Sequence, residues 1–424
     1  KLCKQVLIPS HISSHSEFKH SWALLLITLI GTTTSASYIP LYSFGPLAQD
    51  LSTALNVSLS DIQKIITFNF VGIAIGSQLA GWLVERYNSR HIILWSLLFY
   101  AASYTLLGTV ELYTTIVYLL YFLIPIVGCG ALIVSWTHLV CQRFEKQRGL
   151  ALAITLSGSG VASTLTPLLL SMVVGTEHWQ QGFYILATLP ALTLVICFFA
   201  LPKLSTRKPG AGTQQPQETS HLTPGISYLQ ALKTRHLWTM LSSFTLVAFV
   251  IVTMITNTVS ILVHKGLNQS QATMLFSIFG ISLIIGRLSS GYFLDRYSGP
   301  VVAFIALLLP TLGCLIFYHA STNTSLMMLA IGLIGAAAGA EFDILAYLVS
   351  RYFGLRAYAK IFGALSGTIT LGSGMSPFIY GPILDSAGGY STLLLVCAIA
   401  AAFGSSLMLS LGAYPQFPSL KTGS

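Results

Sequence analysis

Apolar segments long enough to cross a membrane recur along the whole chain, separated by short polar turns. A bilayer core of about 30 Å requires about 20 apolar residues per helix. Twelve such runs occur, at approximately 21–46, 62–84, 91–110, 113–140, 149–174, 182–201, 236–263, 272–294, 300–319, 325–350, 357–384 and 390–412. The pattern therefore predicts an all-α membrane protein with twelve transmembrane helices.

The composition supports lipid as the solvent of this chain. Of its residues, 54% are hydrophobic and only 8% are charged, whereas a soluble domain carries about 25% charged residues. The six cysteines contain no C-x-x-C pair, and most lie inside apolar runs. We therefore expect small buried thiols, with no metal site, disulfide framework or cofactor.

The basic residues are distributed unevenly between the two sets of loops. If the N-terminus is cytoplasmic, 18 of the 21 Lys and Arg residues fall in cytoplasmic loops and tails. This is the positive-inside bias, which predicts that both termini are cytoplasmic. The formal net charge of +9 is then a topology signal and requires no nucleic-acid partner. Short loops and tails favour a bacterial inner (cytoplasmic) membrane.

The runs divide into two pseudo-symmetric six-helix bundles. The segment from Gly76 to Tyr87 recurs from Gly286 to Tyr297, at a constant offset of 210 residues, and such a period indicates two homologous halves. A polar interval rich in Pro and Gly separates them and suits a flexible linker. The predicted organisation is a tail, a bundle, a cytoplasmic linker, a second bundle and a second tail, at 1–20, 21–201, 202–235, 236–412 and 413–424.

This arrangement resembles the major facilitator superfamily. The motif G-x-x-x-[DE]-R-[YF] follows the second and eighth helices, as Gly81 to Tyr87 and Gly291 to Tyr297. Two further features resemble its monocarboxylate and oxalate–formate branch. One is Arg143-Phe144-x-x-x-Arg148-Gly149-Leu150-Ala151 before helix 5, and the other is Arg287, eight residues before Asp295.

The resemblance implies transport by alternating access, with Arg287 binding the carboxylate of the substrate. It also implies gating by charged residues at the cytoplasmic helix ends, which would stabilise the outward-open state: Glu85, Arg86, Asp295, Arg296, Arg143 and Arg351. The oxalate antiporter of that branch also uses a lysine in helix 11, but 361–368 contains no basic residue, so a dedicated dicarboxylate exchanger is not expected. Helix 5 lacks the Gly-Pro pair of antiporters, which favours symport.

Three ionisable residues fall inside predicted membrane helices, where each is costly and marks function by default. Arg287 lies in helix 8, and Glu341 and Asp343 lie in helix 10. At ~1.5 Å per residue, all three are about 12–15 Å from the inner surface, near the depth at which transporters bind substrate. Glu341 and Asp343 point in different directions on a helix. Asp343 is the expected partner of Arg287, because Tyr347 one turn away gives that face a polar continuation.

These charges have two interpretations. In the first, an anionic substrate binds Arg287 and displaces the carboxylate, which then takes up a proton, with Asp343 or Glu341 as the proton-coupling acid. In the second, the arginine and the acid form a static bridge between helices 8 and 10. Further substrate-binding candidates are polar residues of helices expected to line the cavity: Tyr38, Asn69, Tyr121, Asn257 and Tyr347.

The sequence thus predicts a secondary transporter of a small organic anion, a carboxylate, that works as a proton-coupled symporter and as a monomer in the lipid bilayer. One alternative is a transporter of a larger carboxylate metal chelate, such as a siderophore. Another is a non-transporting membrane sensor on the same fold. An enzyme is not expected, because the chain has no nucleophile elbow, no H-E-x-x-H and no phosphate-binding loop.

Overall fold

The computed structural model describes residues 14–109, 113–144, 148–201, 225–294, 296–320, 323–354, 356–386 and 388–415. The structure describes only the backbone of residues 14–20, 85, 141–142, 148–150 and 358–360. The structure is a bundle of eighteen α-helices within these ranges. In the first half these are α1 (Ser14–Thr33), α2 (Tyr38–Leu55), α3 (Leu59–Arg86), α4 (Ser89–Thr109), α5 (Thr114–Val127), α6 (Ile133–Arg143), α7 (Arg148–Leu156), α8 (Gly158–Leu170) and α9 (Gln181–Ala200).

The second half repeats this succession of long and broken helices. Its helices are α10 (Tyr228–Leu232), α11 (Arg235–His264), α12 (Gln269–Phe276), α13 (Ile278–Leu294), α14 (Gly299–His319), α15 (Thr324–Phe353), α16 (Tyr358–Gly374), α17 (Ser376–Leu384) and α18 (Gly389–Leu407). Short 3₁₀ turns occupy Cys129–Ala131 and Met408–Leu411. The predicted linker at 202–235 lies mostly outside the described residues, which resume at Gly225.

Ten apolar helical segments in the described residues are long enough to span a membrane. Several predicted membrane helices are built of two consecutive α-helices, and the first extends to Leu55 instead of ending near residue 46. The two predicted runs without a matching span are 113–140 and 357–384, because each is interrupted. The count of twelve transmembrane helices, and the position of the termini, therefore stay predictions.

The break between α5 and α6 follows from local sequence. Pro125 lacks an amide hydrogen and Gly128 ends α5, so the helical ladder stops there. Neighbouring groups satisfy the freed backbone: Ser96 Oγ accepts from the amide of Gly130 at 3.0 Å, and Trp136 Nε1 donates to the carbonyl of Ala131 at 3.1 Å. Irregular backbone is tolerated at membrane depth only when protein groups satisfy it in this way.

Each half has its own hydrophobic core. One cluster draws almost all its residues from 231–411, and the other draws almost all of its own from 24–201. Few buried residues are shared between them, so two bundles meet along a seam and do not merge into a single core. Polar contacts between the halves can form and break along this seam without disrupting either core.

The two ends of the bundle, the terminal face and the loop face, carry different segments of the chain. The terminal face carries Ser21, Arg143 and Gly412, and the loop face carries the turns at Asn56 and Lys265. At the loop face Lys265 Nζ donates to the carbonyl of Ala320. Burial lowers the pKa of this lysine, because the charged ammonium loses hydration there.

The halves approach each other closely where α8 packs against α13, near mid-depth. A Cβ atom at Gly160 in α8 would overlap the side chain of Ile284, and one at Gly280 in α13 would overlap Thr164 and the carbonyl of Gly160. Only residues without a Cβ atom allow this separation, as at other close membrane helix contacts.

Candidate functional site

Small residues set the distance between α13 and α15, the helices that carry the membrane charges. A Cβ atom at Gly286 would overlap the carbonyl of Ala336, and one at Gly339 would overlap the carbonyl of Leu283. The glycine- and alanine-rich stretch before Glu341 is therefore a close packing face. The contact fixes Arg287 and Asp343 on facing helices at one depth.

Arg287 and Asp343 form an ion pair. Arg287 Nε lies 3.3 Å from Asp343 Oδ2, with the two side chains 15% and 37% exposed. The N–H is not aimed at the carboxylate, so Nε and Nη1 of Arg287 are buried without a hydrogen-bond partner in the described part of the chain. This guanidinium has N–H donors that are not used, and Asp343 balances its charge only in part. It can therefore bind an anion with little rearrangement.

The first half contributes phenols to the same site. The guanidinium of Arg287 interacts electrostatically with Tyr38 and Tyr42, both on α2, and Ser159 and Ser163 lie beside these phenols. The Tyr38 and Tyr42 rings stack with centroids 6.1 Å apart. The site therefore has walls from both bundles, as expected for a ligand held where two halves move relative to each other. Tyr42 was not among the sequence candidates, although it lies one helical turn after Tyr38.

Glu341 lies on a different face of α15 from Asp343. Its side chain is 3% exposed, and Oε1 is buried with no hydrogen-bond partner among the described residues. The residues around it on this face, Ala337, Ile344 and Leu345, are fully buried in the core of the second half. Arg287 is thus paired with Asp343, and Glu341 is a solitary carboxyl within one bundle.

The remaining substrate-binding candidates do not converge on Arg287. Asn69 and Tyr121 are fully buried within the first half, where Asn69 Nδ2 donates to the carbonyl of Tyr121 at 3.0 Å. The ring of Tyr347 reaches the backbone of Gly299 at the terminal face. Only Tyr38 of the sequence candidates shares the site with Arg287 and Asp343. The predicted binding roles of the other candidates stay untested.

Asn257 takes part in a buried network at the loop-face end of the seam. Its Nδ2 donates to Gln63 Oε1 at 3.2 Å, and its Oδ1 accepts from Gln63 Nε2. Tyr380 also donates to Gln63, and its hydroxyl lies 3.0 Å from Thr256 Oγ1. The sequence did not mark Gln63, Thr256 or Tyr380 as functional residues. The only signal was a polar residue in an apolar run, which occurs at many positions here.

The predicted gating residues can be described only in part. Asp295 lies outside the described residues, and so does the side chain of Glu85. The four arginines have local contacts: Arg86 stacks over Trp82 at 5.4 Å, Arg296 over Tyr292 at 3.9 Å, Arg351 over Tyr414 at 4.7 Å, and Arg143 Nε donates to Ser21 Oγ at 3.3 Å. Their gating role stays a prediction.

Comparisons with known proteins agree on one family. The model of the Major Facilitator Superfamily matches residues 24–377. Monocarboxylate transporter 13 of Rattus norvegicus is 24% identical over 409 residues, which cover 95% of this chain and 91% of that protein. The cis,cis-muconate transport protein of Acinetobacter baylyi is 20% identical over 395 residues, with 90% and 92% covered.

A solved structure shows the same fold. The crystal structure of the nucleoside transporter NupG superposes with a TM-score of 0.71 at 16% identity, over 92% of this chain and 98% of that one.

Proposed function

Because the chain belongs to the Major Facilitator Superfamily and is an integral membrane transport protein and not an enzyme, we propose that it moves a small organic anion across the membrane. The cargo we infer is a carboxylate, carried by proton-coupled symport with alternating access. The names of two relatives, a monocarboxylate transporter and a muconate transport protein, support a carboxylate as the cargo.

The observation that carries this proposal is the ion pair of Arg287 with Asp343. The guanidinium has two buried donors without partners in the described residues, Nε and Nη1. Its charge also acts on the phenols of Tyr38 and Tyr42 in the other half. A carboxylate can accept a hydrogen bond from either of these donors, and it becomes bidentate when it also accepts from the adjacent Nη2. The phenols of Tyr38 and Tyr42 can then contact the rest of the molecule.

The same pair provides a route for coupling. When substrate binds Arg287, Asp343 loses its countercharge and becomes an unpaired carboxylate in a site of low dielectric constant. Because an unpaired buried charge is costly, uptake of a proton follows. Substrate and proton then cross as a neutral complex, and their release at the other face restores the Arg287–Asp343 pair. Among the residues that the structure describes, Glu341 has no cationic partner that substrate could displace, so Asp343 is the better coupling acid.

The conformation fits one state of such a cycle. Hydrogen bonds between the halves cluster at the loop face, for example Thr67 Oγ1 to the carbonyl of Gly374 at 2.7 Å and Ser270 Oγ to the carbonyl of Ser171 at 2.5 Å. With both termini in the cytoplasm, as the positive-inside bias predicts, the closed face is the outer one and the site opens inwards. The monomeric state and the bacterial inner membrane stay predictions.

The test is uptake into proteoliposomes under an imposed inward proton gradient. Mono-, di- and hydroxycarboxylates are supplied in turn to the parent protein and to Arg287→Gln, Asp343→Asn and Glu341→Gln. Lys233→Gln serves as the matched control, because it also removes one cationic or ionisable group but lies exposed near the start of α11. Size-exclusion profiles confirm that each variant is folded.

We expect one acid to accumulate in the parent and in Lys233→Gln, and a protonophore to abolish the accumulation. Arg287→Gln and Asp343→Asn should each lower concentrative uptake at least tenfold. Concentrative uptake that survives in Asp343→Asn but fails in Glu341→Gln would assign the coupling to Glu341. If no carboxylate moves while the protein is folded, the proposal of a small-carboxylate cargo is wrong, and larger metal chelates or a sensor role are then tested.

A further inference from the structure

A closed set of side-chain hydrogen bonds crosses the seam between the two halves near the loop face. Gln63 belongs to α3 in the first half, and Asn257 and Tyr380 belong to α11 and α17 in the second. All three side chains, and that of Thr256, are fully buried. Gln63 and Asn257 exchange two amide hydrogen bonds, and the hydroxyl of Tyr380 donates to Gln63 Oε1.

The second half holds its members of this network in place. Asn257 Nδ2 also donates to the carbonyl of Thr253 at 2.8 Å, and Thr256 Oγ1 lies 3.0 Å from the hydroxyl of Tyr380. These local bonds orient Asn257 and Tyr380 before Gln63 arrives. Because Asn257 and Tyr380 are already oriented, little side-chain entropy is lost when Gln63 binds them. The bonds of Gln63 to both residues can therefore form and break together.

The chemistry of the network suits a contact that must open. It contains amides and hydroxyls but no ionised group, so separating the halves leaves no unpaired buried charge. When water enters the opened seam it can satisfy each donor and acceptor, and the net contribution of each bond is then small. While the seam is dry, however, one unpaired amide would be costly. The network therefore favours the closed face without making opening prohibitive.

We propose that Gln63, Asn257 and Tyr380 form an uncharged latch that holds the loop face closed, and that Asn257 serves the latch and does not bind substrate. The latch rests on the proposed alternating access for its role in transport, but its closure can be measured without any substrate. A buried amide of α3 can also be satisfied without crossing the seam. Asn69, a buried amide on the same helix as Gln63, instead bonds within its own half.

The experiment measures how often the loop face opens. A cysteine at Thr67 in α3 serves as reporter, because Thr67 is 7% exposed and bonds across the seam to Gly374. It is introduced into a background in which Cys3 and Cys141 are serine, and the other four cysteines are buried. The rate of maleimide labelling is measured on protein purified in detergent, without substrate, so that the sidedness of the membrane is irrelevant.

Two latch variants are compared with a matched control. Asn257→Leu removes latch bonds and keeps the number of non-hydrogen side-chain atoms, and Tyr380→Phe removes only the hydroxyl. Thr193→Val removes a buried hydrogen bond of 2.9 Å to Thr34 that lies entirely within the first half. We expect labelling about fivefold to tenfold faster in each latch variant, because one or two lost hydrogen bonds raise the open population by that factor. The control should match the parent.

Parent-like labelling in both folded latch variants would overturn the latch, and so would equal acceleration in Thr193→Val, since the loosening would then be unspecific. Faster labelling together with failure of all carboxylates in the uptake assay would retain the latch and reject only the proposed cargo. Thr256→Val removes the bonds of Thr256 to Tyr380 and to Asn257 but none to Gln63. It provides a third and milder variant and should accelerate labelling less than Asn257→Leu.

Discussion

Ser60 Oγ donates a hydrogen bond of 2.7 Å to Asp385 Oδ2 and so joins the start of α3 to the end of α17 across the two halves. One turn away along α17, Gly381 faces the same serine: a Cβ atom at Gly381 would lie 3.5 Å from the Cβ of Ser60. Native disulfides have Cβ separations of about 3.5–4.5 Å. The loop face can therefore be locked covalently at this pair of positions.

The variant Ser60→Cys with Gly381→Cys should form a disulfide on mild oxidation and stop uptake, because the loop face can no longer open. A thiol reductant should restore most of the activity. The background has Cys3 and Cys141 changed to serine, and each single cysteine variant serves as control. Full uptake by the quantitatively crosslinked protein would show that transport does not require these helix ends to separate.

Gly339 should tolerate no side chain. Gly339→Leu would force α13 away from α15 and separate Arg287 from Asp343, so we expect uptake to fall more than tenfold and stability to fall by about 1–3 kcal/mol. Gly332 lies on the same helix with open space where its Cβ would be, which makes Gly332→Leu the matched control. Uptake rates and melting temperatures in detergent give the comparison. Equal losses in both variants would contradict the packing argument.

Tyr121→Phe should leave transport unchanged. The hydroxyl of Tyr121 is buried with Ser43 beside it, and no hydrogen bond of ordinary geometry forms among the described residues. Removing the hydroxyl should therefore cost less than about 1 kcal/mol of stability. Measuring the KM for the transported acid together with the melting temperature separates two cases. A KM raised severalfold at unchanged stability would return Tyr121 to the binding site that the sequence analysis predicted.

Uptake should depend on pH through Asp343. In a symporter the rate rises as the pH on the substrate side falls, because protonation of the coupling acid completes the loaded complex. Asp343→Asn mimics the protonated acid permanently, so its residual, non-concentrative exchange should be nearly independent of pH between 5.5 and 8. The measurement is initial exchange with equal substrate on both sides. A pH profile in Asp343→Asn that parallels the parent would place the titrating group elsewhere.

Tyr414 should contribute to stability and not to transport. Its hydroxyl accepts a hydrogen bond of 2.6 Å from the amide of Gly299 at the start of α14. Tyr414→Phe leaves that amide unpaired, at a cost of about 0.5–1.5 kcal/mol, while the ring under Arg351 is retained. Thermal unfolding in detergent tests this, with the exposed Tyr297→Phe as control. No difference between the two melting temperatures would exclude a capping role.

Part of the site could be predicted from one sequence. Helical rise places Arg287 and both acids of helix 10 at a similar depth, and the cost of charge in lipid makes pairing the default. The choice of Asp343 over Glu341 comes from Tyr347, which continues the polar face one turn away. The rotation of Glu341 away from it follows from the same helical period. The glycine- and alanine-rich stretch before Glu341 likewise indicates close packing against a neighbouring helix, because close helix contacts in membranes need small residues.

The network of Gln63, Asn257 and Tyr380 could not be predicted, because its members come from three helices far apart in the chain. Whether Asn257 faces a cavity or a sealed seam depends on how the halves are tilted, which no period in the sequence encodes. The breaks at Gly128 and Met375 had a partial signal in nearby Pro and Gly. The sequence does not give the length of uninterrupted helix that each break leaves, and that length decides how many helices are long enough to span the membrane.

The contact of Gly160 with Gly280 has a mechanical consequence. Gly280 lies seven residues before Arg287 and ten residues after Ser270, which corresponds to about 10 Å and about 15 Å along the helix. If the two halves rock about this contact, it acts as a fulcrum between the loop face and the site. A gap that opens at the loop face, about 15 Å away, then narrows the space around Arg287, about 10 Å away on the other side. As long as this contact is kept, the two ends cannot be wide open at the same time, and the geometry of the contact opposes a leak through the protein.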